Sequence, residues 1–140
     1  MKNHALRIYA AVGLVVLLAS LAAFAQMPTK LVANIPFDFA VSAKTHPAGQ
    51  YEIVPSAPNN LLIIRNTDGR GAELVVAGYL SSTRPPAAAQ LVFHRYGNQY
   101  FLSQIWGLGS GKLLFPAKAE KELMANSAKA ETTTVAARRP

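Results

Sequence analysis

The sequence predicts a mostly β protein: one antiparallel sandwich or small barrel with a single C-terminal α-helix, set behind an N-terminal signal-peptide helix. Three observations carry that reading. From residue 31 onward, apolar residues come in short runs of near-alternating pattern, each ended by Gly, Pro, Asn or Asp. One pair of runs, Leu91 to Tyr96 and Gln99 to Trp106, is apolar on both faces. Both sides of that pair need cover, as happens when two sheets stack or one sheet closes on itself. Good helix formers gather after Pro116, from Ala117 to Ala128.

Residues 26–30 form an extended lead-in, and the first strand candidate runs from Leu31 to Val41. Ile35, Phe37 and Phe39 share one of its faces, and Pro36, lacking a donor, marks an edge or a bulge. Thr45 to Gly49 is a turn, and Gln50 to Pro55 returns with Tyr51 and Ile53 on one face. Leu61 to Arg65 is a continuous apolar run too short for a helix, so it is a buried strand ended by Asn66-Thr67-Asp68-Gly69. Ala72 to Ser81 completes a hairpin with it. Arg84-Pro85-Pro86 opens a stiff spacer too short to separate domains.

Gly97-Asn98 then joins the two best-defined strands in a two-residue turn that sets a register. Tyr96 faces Gln99, Arg95 faces Tyr100, His94 faces Phe101 and Phe93 faces Leu102. Leu91, Phe93 and Leu102 fall on one face, and Val92, Phe101 and Ile105 on the other. The glycine-rich stretch Gly107 to Gly111 matches no phosphate-binding pattern and is a loop. Pro116 suits the start of a helix over 116–128. Its apolar side, Leu123 and Met124 among alanines, is thin, so the helix is expected to cap an end of the sheet. The β-rich domain spans 31–129, and the threonine-rich tail, 130–140, is expected to be disordered.

The leader is read from residues 1–25. Lys2 and Arg7 precede an apolar run from Ile8 to Phe24 that ends in Ala23-Phe24-Ala25. A basic start, a translocon-length apolar helix and small residues before the cut make a signal peptide cleaved between Ala25 and Gln26. An uncleaved anchor is the competing reading, since the run approaches the roughly 20 residues that span a bilayer. The mature chain is expected to be exported, to the periplasm or the medium, and to meet the membrane only through the leader. With no cysteine it can carry neither disulfides nor a lipid on a processed N-terminal cysteine.

Charge narrows the function classes. Without Lys2 and Arg7 the basic count falls from 14 to 12 against 7 acidic residues, a balance of +5. The excess is scattered over separate segments, whereas nucleic-acid binding wants a basic stripe with stacking aromatics. No nucleic-acid partner is expected, and weak attraction to anionic surfaces is the ordinary consequence.

The segments Ile35-Pro36-Phe37-Asp38-Phe39, Pro47-Ala48-Gly49-Gln50-Tyr51, Leu62-Ile63-Ile64-Arg65-Asn66 and Leu91-Val92-Phe93-His94-Arg95-Tyr96-Gly97 give the chain a likeness to known proteins. It resembles a family of small exported proteins of unknown function, chiefly from soil bacteria of the acidobacterial group. The likeness runs from about Asn34 to about Leu123. It implies export and a shared fold, and it assigns no site, since the family has no established activity or ligand.

Candidate chemistry centres on the Phe93 to Trp106 hairpin. His94 is the one histidine inside a strong element, and Asp38 or Glu52 beside it would make an acid–base pair. A half-buried histidine packed on an aromatic explains the same residue more simply. One histidine supplies no ligand set, so no metal and no cofactor is expected. Ser42, Ser56 and Ser103 lie in no nucleophile-elbow motif, so hydrolysis around His94 is the minor alternative and a non-enzyme is expected. A ligand platform is the stronger alternative: Tyr96, Tyr100 and Trp106 stacking on a sugar ring, with Arg95 and Gln104 at its polar edge. Arg95 opposite Tyr100 equally serves to pin the hairpin by a cation–π contact. The leading reading is a non-catalytic envelope or extracellular protein acting through its surface, with self-association along an exposed strand edge as the mode.

Overall fold

The computed structural model describes residues 29–58, 60–126 and 128–140, together with Tyr9. Apart from Tyr9, the expected leader and its cut between Ala25 and Gln26 lie outside the described residues. The strands are β1 (Leu31–Ile35), β2 (Phe39–Val41), β3 (Lys44–His46), β4 (Gly49–Ser56), β5 (Leu61–Asn66), β6 (Ala72–Leu80), β7 (Gln90–Tyr96), β8 (Gln99–Trp106), β9 (Gly111–Leu114) and β10 (Glu131–Arg138). One helix, α1 (Lys118–Ala125), lies between β9 and β10.

Eight strands run β8-β7-β10-β1-β4-β5-β6-β9, and β9 pairs back onto β8, so the sheet closes into a barrel. All pairings around the ring are antiparallel. Of the two architectures expected, the barrel is formed and the sandwich is not. Alternate residues point inward: Leu31, Ile53, Leu62, Ile64, Leu91, Phe93 and Ile105 are each 1% exposed or less. An eight-stranded barrel has an interior about wide enough for side chains alone, and these fill it.

Each end is stoppered. Residues 36–38 break the expected first strand into β1 and β2, and Phe39 turns back over the core, edge-on to Phe93 at 5.6 Å and Tyr51 at 5.0 Å. β2 lies parallel to β8, with Ala40 opposite Phe101, and β3 pairs antiparallel with β2. At the other end Ala89 and Leu108 pack on the core. Gly107, at φ 115°, passes so close to Ala89 that an added Cβ would lie 2.5 Å from that methyl.

Three expectations are corrected. The tail is not disordered: β10 inserts between β1 and β7 and completes the ring, so the domain runs to Arg138. Its inward residues are Thr133, Val135 and Ala137, a period-two pattern of small side chains that offers little hydrophobicity but gains a hydrogen-bonded ladder on both sides. The helix covers residues 118–125 and lies against the outer face of β7 and β8, with Glu120 its only buried residue, instead of capping an end. In the β7–β8 hairpin the four pairings set by the turn are all present, with Gly97 at φ 63°. Beyond them a bulge intervenes: Phe93 faces Leu102, yet Val92 faces Gln104. The extra residue, Ser103, reverses the alternation and brings Ile105 inside.

Candidate functional site

The expected platform does not assemble. Trp106 is buried on the outer face, and its Nε1 donates to Gln104 Oε1 at 3.0 Å. Tyr100 points to the inner side at the opposite end of β8, stacked on Phe37 with ring centroids 3.8 Å apart. The bulge explains the separation, because it puts Tyr100 and Trp106 on opposite faces although their numbers share parity. Tyr96 is buried as well, edge-on to Phe101 at 5.8 Å. Arg95 keeps the pinning role: its guanidinium lies 5.6 Å from the Tyr100 ring centroid, and its Nε donates to the Gly97 carbonyl at 2.7 Å.

What the fold does bring together is His94, Tyr96 and Glu120. Glu120 Oε1 lies 2.7 Å from His94 Nδ1 and accepts from the Tyr96 hydroxyl at 3.3 Å. Burial, and then the neighbouring Glu120 carboxylate, push the Tyr96 phenol above its ordinary pKa. Neither Asp38 nor Glu52 is the acid of this cluster. Asp38 accepts from the Ala48 amide at 2.9 Å, and Glu52 pairs with Arg65 and Lys30. Those two cations, Arg65 first, hold the Glu52 carboxyl below its usual range. A histidine oriented by a carboxylate has the form of half a hydrolytic triad, but the hydroxyl at hand, Tyr96, bonds the same carboxylate. The geometry is that of a clasp fixing α1 to the barrel wall.

A second clasp of the same chemistry holds the β2–β3 hairpin. His46 Nε2 lies 2.6 Å from Glu73 Oε2, with the ring stacked on Phe39 at 5.4 Å and edge-on to Tyr51 at 6.0 Å. His46, within the turn expected from Thr45 to Gly49, instead sits in β3 at the barrel end, because β3 pairs with β2 and brings it over the core. Among the described residues no group of three or more His, Asp or Glu stands close enough to share a metal ion.

Among the described residues, two features stand out for contact with other molecules. An open groove runs between α1, the β2–β3 hairpin and the start of β8. Its two lobes, about 390 and 340 Å³, share Ala40, Thr45, Phe101 and Ala119. Lys44, Lys118 and Glu122 edge one lobe, and Asp38, Gln99 and Tyr100 the other.

The larger feature is the outer face of β5, β6 and β9. Register places Ile63 beside Leu74, Leu61 beside Val76, and Leu113 beside Gly78. Phe115 lies across Gly78, where an added Cβ would be 3.6 Å from its ring. Leu74, Val76 and Phe115 are 60%, 51% and 61% exposed. No charged side chain interrupts this stretch of outward positions; the first met is Arg65, paired with Glu52. The outer face of β7 and β8 is also apolar, yet Val92, Phe101 and Trp106 are all buried there. One apolar outer face is covered, and the other is bare among the described residues.

Among the described residues no helix is long and apolar enough to cross a membrane. Comparisons with family models, with curated proteins and with solved structures return no match.

Proposed function

We propose that this is an exported, non-catalytic protein of the envelope or extracellular space that works by surface contact, through the outer face of β5, β6 and β9. The observation that carries the reading is that bare face. Contiguous exposed apolar surface on a soluble domain marks a contact site. The filled interior supports it from the other side, since an eight-stranded barrel that stores a ligand needs an empty lumen. Closure of the ring moves the expected mode of association from a strand edge to a strand face. In this reading residues 1–25 act as the export signal, with the cut between Ala25 and Gln26.

The test is retention in the envelope fraction of the producing cell. A Leu74→Ser, Val76→Thr double variant is expected to fold and be exported but to lose retention; equal distribution of variant and wild type contradicts the reading.

The groove beside α1 favours a second reading, a site for a small polar ligand such as a glycan. Its volume is in the usual range for ligand sites, and Lys44 and Lys118 are balanced by Asp38 and Glu122, which suits a neutral molecule. Of the residues expected in a platform only Tyr100 lines it. Tyr100→Ala is expected to abolish glycan binding in this second reading, and retained binding by the folded variant rules it out.

A further inference from the structure

We infer that the bare face of β5, β6 and β9 is the interface of a symmetric homodimer, each copy covering the other. The inference rests on the surface-acting reading above and names its partner.

Chemistry selects an apolar partner. Any charge brought against Leu74, Val76 and Ile63 would lose water and find no counter-ion, because no charged side chain projects from those positions. A second copy supplies a face of the same extent and character. Area permits it: the exposed Leu74, Val76 and Phe115 with their half-buried neighbours present on the order of 500 Å² of apolar surface, so two faces fully covering each other bury about 1,000 Å², the floor for a specific interface.

Shape supplies the symmetry. β6 runs through the face, with β5 along Ala72 to Val76 on one flank and β9 along Ala77 to Leu80 on the other. Phe115 is prominent on the β9 flank, whereas Leu61 and Ile63 on the β5 flank are half-buried. A two-fold axis lying in the interface along β6 exchanges the flanks. It seats Phe115 of each copy toward β5 of the other and brings Leu74 and Val76 against their counterparts. The Glu52, Arg65 and Lys30 ion pairs stay on the hydrated rim.

The experiment is sedimentation velocity over a wide concentration range on the protein as recovered from its host, beside Leu74→Lys and Phe115→Ser variants. Far-ultraviolet circular dichroism and Trp106 fluorescence verify the fold. Wild type is expected to sediment as a dimer, and Leu74→Lys to weaken the dimer at least ~100-fold, as a charge at an interface centre does. Phe115→Ser, which places no charge in the face, should weaken it in the same direction. A wild type monomeric throughout overturns the inference, as does a dimer indifferent to both substitutions. The two readings part cleanly: a monomer whose envelope retention still depends on Leu74 and Val76 removes the dimer and leaves the surface reading standing. A monomer that binds lipid vesicles through Leu74, or one in which residues 8–24 cross-link to it, also overturns the inference by naming another occupant.

Discussion

Glu120 shows how much one residue on a short helix can hold. Its buried carboxylate accepts from His94 and Tyr96, so Glu120→Ala strips two barrel-wall groups of their partner at once. The expected cost is about 1–3 kcal/mol in a denaturant titration, with the barrel otherwise intact. His94→Gln can still donate to Glu120 and should leave envelope retention unchanged; loss of a measured reaction without loss of folding would instead revive an enzymatic reading. Tyr96 adds a pH dependence whose sign is fixed. Its phenol is a weaker acid folded than unfolded, so the unfolded chain deprotonates first, near the ordinary value of 10.0. The stabilisation is complete below that pH and declines as pH rises through the folded value. Tyr96→Phe is expected to flatten this part of the alkaline decline in melting temperature, and an unchanged alkaline limb contradicts the assignment. The sequence marks His94 and Tyr96 separately, one with Asp38 or Glu52 as its acid and the other in a ligand platform, but Glu120 lies 26 positions from His94, and no local pattern links a helix residue to a strand that far away.

At the scale of elements, what is legible is what a short stretch determines. Gly97-Asn98 and its flanks specify the hairpin register, and the apolar run of β5 needs burial in any fold. What escapes depends on neighbours. Ser103 has nothing in its identity to announce a bulge, yet that one residue moves Trp106 to the opposite face from Tyr100 and dissolves the expected platform. The segment of β10 is too weakly apolar to reveal itself, because its value lies in the two ladders that flank it. Thr133→Pro removes a donor from the β7 ladder and is expected to destabilise by about 1–3 kcal/mol, whereas Arg139→Pro, which gives up only exposed side-chain hydrogen bonds to the Gly107 carbonyl, is expected to cost less. Thermal unfolding of the two variants checks this, and equal melting temperatures would mean that the tail adds nothing to the barrel.

For the whole molecule, closure has two consequences that belong together. Strand edges are largely lost from the ring, leaving among the described residues the short β3 and the Ala72 to Val76 part of β6 that β9 does not reach, and association passes mainly to faces. One apolar face carries α1 and the other carries nothing among the described residues. Substituting Leu74 and Val76 by Ser and Thr should therefore change the stability of the isolated chain by within about 0.5 kcal/mol while reducing binding of a hydrophobic dye; a large loss of stability would place those residues in a core. A two-layered β architecture follows from the sequence because apolar residues on both faces of a hairpin demand cover on both sides. Choosing barrel over sandwich is beyond it, since residues 131–138 carry too little apolar pattern to read as the strand that completes the ring. Everything about the outer faces turns on that closing strand, and native-state hydrogen exchange of residues 131–138 tests it most directly. Protection comparable to that of β7, its ladder partner, is expected, lost together with β7 on unfolding; exchange at the rate of an unstructured peptide would mean an open barrel, free edges at β1 and β7, and a different surface of contact.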